Sequence, residues 1–160
     1  MGHMTTRTDT PWLTQEQQVI WRSLLGGITV LMDQLDRDLR TQHNLSMGEY
    51  EILVRLSEAP DRSIRMAELA AAIAHSRSRV THTISRLERD GIVRRDQCSE
   101  DGRGVSAVLT DHGFSVLKKV AHTHVRGVHD YLIENAPADE FAALGRIMER
   151  VTQTLHGKRF

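Results

Sequence analysis

The sequence predicts a mainly α fold with one small β-hairpin, and three features predict it. Leu, Ile, Val and Met are plentiful within an apolar content of 39%, while aromatics reach only 4%, a profile that suits helix packing better than a β-sandwich. Apolar residues recur at three- and four-residue intervals over several long stretches. Two short extended runs flank a single polar tip between positions 92 and 109. With 160 residues, 26% of them charged, the chain is large enough for one domain with a real core and a dimerising extension.

Gly2-His3-Met4 reads as the remnant of a cleaved tag, which puts the expected natural start at Met4, and residues 1–13 form a flexible N-terminus. Thr14 with Gln17 makes a capping box, and a helix follows through Ile20, Leu24, Ile28, Leu31, Leu35 and Leu39 to about position 42. Gly26-Gly27 marks either a weak spot in this helix or the close approach of another. Ser46 and Glu49 form a second capping box, opening a short helix to about Ser57. Pro60 lies in the loop beyond, and Ile64 is placed for a short strand.

Met66 to Ala74 is a compact alanine-rich helix. His75-Ser76-Arg77 reads as a tight turn, and Ser78 to Asp90 continues as a helix that buries Val80, Ile84 and Leu87. Gly91 supplies the left-handed cap that ends it. Ile92 to Arg95 and Val105 to Leu109 are the two arms of the hairpin. Thr110 caps a helix over roughly 111–134, and Pro137 fits the first turn of a last helix, with Asp139 and Glu140 near its positive end. Phe141, Leu144, Met148, Val151 and Leu155 alternate by three and four as a coiled-coil seam does.

The whole chain is neutral, with 21 basic and 21 acidic residues. The charge is nevertheless unevenly placed. Positions 75–95 hold six arginines against two acidic residues, a net of +4, whereas 46–72 hold five acidic residues against three arginines, a net of −2. A basic stripe within a neutral protein points to double-stranded DNA as partner. Helix, tight turn, helix and hairpin is the order of a winged helix-turn-helix, whose second helix enters the major groove. Its outward positions are Ser76, Arg77, Ser78, Arg79, Thr81, His82, Ser85 and Arg86, donors for phosphates and for guanine edges. Arg103 at the wing tip suits a narrow minor groove. Of Arg94 and Arg95, one is expected on phosphate and the other in a structural pair.

Several classes are excluded or weakened. No apolar run approaches the roughly 20 residues of a membrane span, and no secretory signal is present. The single cysteine, Cys98, rules out an internal disulfide and fits the cytoplasm. No phosphate loop, metalloprotease helix or nucleophile elbow supports an enzyme, and no cofactor is expected. His122, His124 and His129 lack the three- or four-residue spacing that sets two imidazoles side by side, so no metal site is expected. A redox-responsive or metal-responsive regulator of the same fold, with Cys98 beside Arg94 and Arg95, and a winged-helix module for protein contacts are the alternatives. The latter would not need Arg77, Arg79, Arg86 and Arg103 all facing outward.

The stretch from Met66-Ala67-Glu68-Leu69-Ala70, through Leu87-Glu88-Arg89-Asp90-Gly91-Ile92-Val93-Arg94-Arg95, to Asp101-Gly102-Arg103-Gly104 and Val108-Leu109-Thr110 resembles the multiple-antibiotic-resistance regulator (MarR) family. The likeness extends over about residues 14–156. It implies a homodimeric, ligand-responsive repressor on a pseudo-palindromic operator. The first dimerisation helix would span 14–45, the winged helix-turn-helix 46–110, and the C-terminal dimerisation helices 111–160. It also implies that Asp101 orients Arg103, and that a small aromatic anion binds near Thr81 and Arg95. A pocket at the end of the first helix, with His43 and Tyr50, is the alternative effector site. The apolar stripes of the first and last helices, too wide for a small winged domain to cover, independently favour a dimer.

Overall fold

The computed structural model describes residues 10–73, 77–97 and 104–156. Ser76, Cys98, Asp101 and Arg103 lie outside the described residues, as does the side chain of Arg77. Helix α1 (Gln15–His43) starts at Thr14, whose hydroxyl accepts from the Gln17 amide while Gln17 returns the bond. The capping box therefore forms as the spacing predicts. The helix ends at Asn44 in the left-handed conformation, φ 55°, which asparagine tolerates better than most residues. Ser46 and Glu49 build the second capping box at the head of α2 (Met47–Glu58). Asp36 accepts from the Met47 amide at 2.8 Å and from Arg40, so the α1–α2 elbow is tied from both sides. Burial alone would push the Asp36 carboxyl up; those two hydrogen bonds and the Arg40 charge hold it below its ordinary value.

A 3-10 turn (Pro60–Arg62) leads to β1 (Ser63–Arg65), then α3 (Met66–Ala72) and α4 (Arg77–Arg89). Strands β2 (Val93–Gln97) and β3 (Val105–Leu109) make the hairpin. Ile64 does enter a strand: β1 pairs antiparallel with β3, Ile64 opposite Ala107, giving a three-stranded sheet in the order β1-β3-β2. Gly91 has φ +69°; the Gly91 amide bonds the Glu88 carbonyl and the Ile92 amide the Leu87 carbonyl, the paired closure of a left-handed helix cap.

Helix α5 (Asp111–Tyr131) is shorter than the predicted run to 134, because a 3-10 turn (Ile133–Asn135) takes over the last residues. Helix α6 (Ala138–His156) follows, with the Pro137 carbonyl accepting from Phe141. Pro137 thus caps the helix instead of occupying its first turn. α1 runs through Gly26-Gly27 unbroken, and within the single chain no other helix comes close to them: a Cβ at either glycine would meet nothing within 4 Å.

The core joins α2 to the lobe made by α3, α4 and the three-stranded sheet. Leu53, Leu56, Leu69, Val80, Ile84, Leu87 and Val93 are buried together, with Leu39 and Val120 closing it from α1 and α5. Val80, Ile84 and Leu87 are the three positions that the helical spacing assigns to the inner face of α4. Of the stripe on α1, only Leu35 and Leu39 are buried, while Ile20, Trp21, Leu25 and Ile28 are exposed. No described residue of α6 is buried.

Candidate nucleic-acid interface

With its apolar edge in the core, α4 turns Ser78, Arg79, Thr81 and His82 to solvent in its first half. These are the positions from which a helix N-terminus reaches base edges. Further along the helix the picture differs from the expected outward face. Ser85 is half-buried and accepts a bond from Arg95 at 2.7 Å. Arg86 is half-buried too, and its guanidinium points back into the protein. It pairs with Glu49 of α2 at 2.9 Å and donates to the Asn44 carbonyl at the α1–α2 elbow. The reason is electrostatic: Glu49 is only 4% exposed, and a buried carboxylate needs a cation beside it.

The structure separates the two wing-strand arginines. Arg95 is structural, binding Glu88 at 3.1 Å, the Thr81 carbonyl at 3.1 Å and Ser85. Arg94 is exposed on β2, held flat against Asp96 by bonds of 3.0 and 3.2 Å. That carboxylate pushes the Arg94 pKa further up, chiefly through the hydrogen bond. The basic stripe is therefore narrower than the sequence count implies, since three of its arginines already face carboxylates.

The four candidate effector residues fall into two groups. Thr81 and Arg95 meet on α4 and β2 through the Thr81 carbonyl. His43 and Tyr50 instead meet α5: His43 Nε2 lies 2.7 Å from the Thr123 hydroxyl, and the Tyr50 ring lies 4.7 Å from that of His124. Burial pushes the Tyr50 phenol up and the His124 imidazole down. Alongside, α1 and α5 border an open groove of about 1180 Å³ lined by Asp38, Gln42, His122, Arg126, Tyr131 and Glu134, among others. His43 and Tyr50 do not line it.

Sequence reasoning missed the anchors. Glu49 was legible as a capping residue, and indeed one of its oxygens accepts from the Ser46 amide, but its second bond crosses to Arg86. Glu88, seven residues before Arg95, gave no local sign of pairing with a strand. Spacing among the histidines also hid a group that forms with carboxylates: His129, Asp130 and Glu134 bring one ligand atom each within 4.8 Å of one another. All three are exposed, and a surface His beside two acids is a common arrangement without a metal. Among the described residues, no helix is long and apolar enough to cross a membrane.

The MarR family model matches residues 45–105, the segment that holds α2, β1, α3, α4 and β2 and ends where β3 begins. Across 146 residues the chain is 29% identical to the HTH-type transcriptional regulator PecS of Dickeya dadantii, covering 88% of this chain and 87% of PecS. The fold is similar to that of AbsC, a MarR family transcriptional regulator from Streptomyces coelicolor, with TM-score 0.85 and 39% identity over 93% of this chain and 100% of that one. It is equally similar to Sco3205, a MarR family regulator from the same organism solved in complex with DNA, with TM-score 0.86 and 40% identity over 92% of each chain. Identity of 39–40% over nearly complete chains, together with the family match over 45–105, means that this protein belongs to the MarR family of transcriptional regulators.

Proposed function

We propose that the chain is a homodimeric repressor that binds double-stranded DNA through α4 and the β2–β3 wing. The observation that carries this is the exposed row Ser78, Arg79, Thr81 and His82 on the leading half of α4, a donor set suited to phosphates and base edges. Its similarity to Sco3205, whose structure contains DNA, supports the same reading. Ser76, Arg77, Asp101 and Arg103 join the interface on sequence grounds, with Arg103 directed by Asp101 toward the minor groove, and Arg94 serves phosphate. The family's members are regulators and not enzymes, and the cytoplasm is where such a protein would meet its operator.

The dimer reading rests on apolar surface. Val19, Ile20, Trp21 and Ile28 of α1, and Phe141, Ile147, Met148, Val151 and Leu155 of α6, are exposed in the single chain. Exposed apolar residues in that number mark a contact surface. Two chains joined through 14–45 and 111–160 would present two copies of α4 about one DNA turn apart. Release by a small aromatic anion completes the proposal, at the Thr81–Arg95 group or at the His43–Tyr50 group. A full switch requires the anion to favour the non-binding state by about 5.5 kcal/mol.

Selection from a randomised duplex pool tests the proposal. An inverted repeat with half-site centres about 10 base pairs apart is expected, and Arg79→Ala or Thr81→Ala should weaken it or change its bases. A pool with no enriched motif, recovered at low salt, would overturn it and favour a protein-contact role for the lobe.

A further inference from the structure

Resting on the DNA-binding reading, we propose that Arg86 is a positioning residue of the interface, which locks the recognition helix to the elbow of the dimerisation arm and does not itself contact DNA. Arg86 lies nine residues into α4, about 14 Å along the helix from its leading end. Its guanidinium is engaged on two sides, by the Glu49 carboxylate at 2.9 Å and by the carbonyl of Asn44, the left-handed cap of α1. Glu49 is itself committed with both oxygens, one to the Ser46 amide at 2.8 Å and the other to Arg86. Asp36 of α1 pins the neighbouring Met47 amide. The Glu49–Arg86 pair therefore fastens the start of α2, the end of α1 and the second half of α4 at a single point.

Drawing Arg86 out to a phosphate would strand Glu49, which is 4% exposed, without its counter-charge, and a buried charge that loses its partner is strongly unfavourable. The pair is thus kept when DNA binds. Its effect on DNA is indirect: it fixes the angle at which α4 leaves the arm, and so the spacing of the two recognition helices in a dimer. Apart from the bonds that Arg95 of β2 makes to Ser85 and Glu88, which tie it to the wing, the second half of α4 packs on the lobe through Ile84 and Leu87, apolar contacts that define depth better than direction.

Salt dependence separates positioning from contact. Each lost phosphate contact reduces the slope of log affinity against log salt by about 0.9. With the duplex recovered by selection, Arg86→Gln and Glu49→Gln are each expected to weaken binding at least tenfold with the wild-type slope, and the double variant should be no worse than either single one. Arg86→Lys keeps the charge but cannot span Glu49 and Asn44 together, so it should weaken binding nearly as much. A slope reduced by about 0.9 in Arg86→Gln, with Glu49→Gln and Arg86→Lys binding as wild type, would overturn the proposal. Amide exchange in the free protein reads the lock without DNA: both glutamine variants should speed exchange in α4 and at the 44–47 elbow, and unchanged exchange there would equally overturn it. A wild type without salt-dependent binding would sink the DNA reading itself, leaving exchange to judge the lock.

Discussion

Arg95 on β2 and Glu88 on α4 face each other at 3.1 Å, and the same guanidinium reaches the Ser85 hydroxyl and the Thr81 carbonyl, one and two turns back along the helix. The strand that leads into the wing is thereby strapped along the recognition helix. Helix and wing base are thus joined by side-chain bonds as well as by the turn at Gly91, which suits the proposed entry of α4 and the wing into neighbouring grooves. Arg95→Ala should lower stability by about 1 kcal/mol, a modest figure because the pair is only part-buried. Arg95→Lys, which keeps the charge without the fork, should fall between the two. Urea midpoints check this, and an unchanged midpoint for Arg95→Ala would remove the strap.

Gly113, in the first turn of α5, meets the turn between α4 and β2 at close range. A Cβ there would sit 2.0 Å from the Ile92 carbonyl oxygen and 2.8 Å from Leu109 Cδ1. That oxygen also accepts from the Thr110 amide, so the backbone cannot simply yield. Gly113→Ala should cost about 1–3 kcal/mol, as overpacking does. Gly48→Ala on α2, where the nearest atom is Ser46 Oγ at 4.0 Å, should instead gain about 0.5–1 kcal/mol. Denaturant unfolding of the two variants gives opposite signs if the packing is as described.

The difference between these two glycines shows what sequence could and could not supply. Thr14 with Gln17, Ser46 with Glu49, and Gly91 act within their own turn of chain, so their roles are legible from spacing. The inner face of α4 was legible too, since Val80, Ile84 and Leu87 need only a helix and a core. Arg86 and Arg95 were not, because an outward helical position says nothing about a carboxylate 37 residues away or about a strand folding back. The shorter α5 has the same origin: its last residues satisfy a 3-10 turn that periodicity alone does not distinguish from helix.

His124 gives the fold a pH signature. Its Nδ1 is buried without a hydrogen-bond partner among the described residues, against the Tyr50 ring. Burial holds the folded-state pKa below the ordinary 6.5, so just below that pH the unfolded chain binds more protons than the folded one. Stability is then full above about 6.5 and declines as pH falls through that value toward the folded pKa. His124→Phe should flatten this decline between pH 7.5 and 5.5 in urea unfolding. Equal losses in wild type and variant would contradict the assignment.

The α6 seam offers a direct test of the dimer. Leu144 is half-buried and Met148 exposed in the single chain, on the face whose three-and-four spacing suits a partner helix. Leu144→Glu or Met148→Glu should place a charge in an apolar contact and shift sedimentation from dimer to monomer, with helical content kept. A dimer that survives both substitutions would put the contact elsewhere.

Binding of the wild-type protein to its selected duplex across a salt series tests the central claim most directly. A DNA-binding lobe that works through Arg79, Arg94 and the wing predicts a steep linear fall of log affinity with log salt, by about 0.9 for each phosphate neutralised, together with loss of the motif-specific component in Arg79→Ala. A flat salt dependence, or equal affinity for selected and scrambled duplexes, would contradict it.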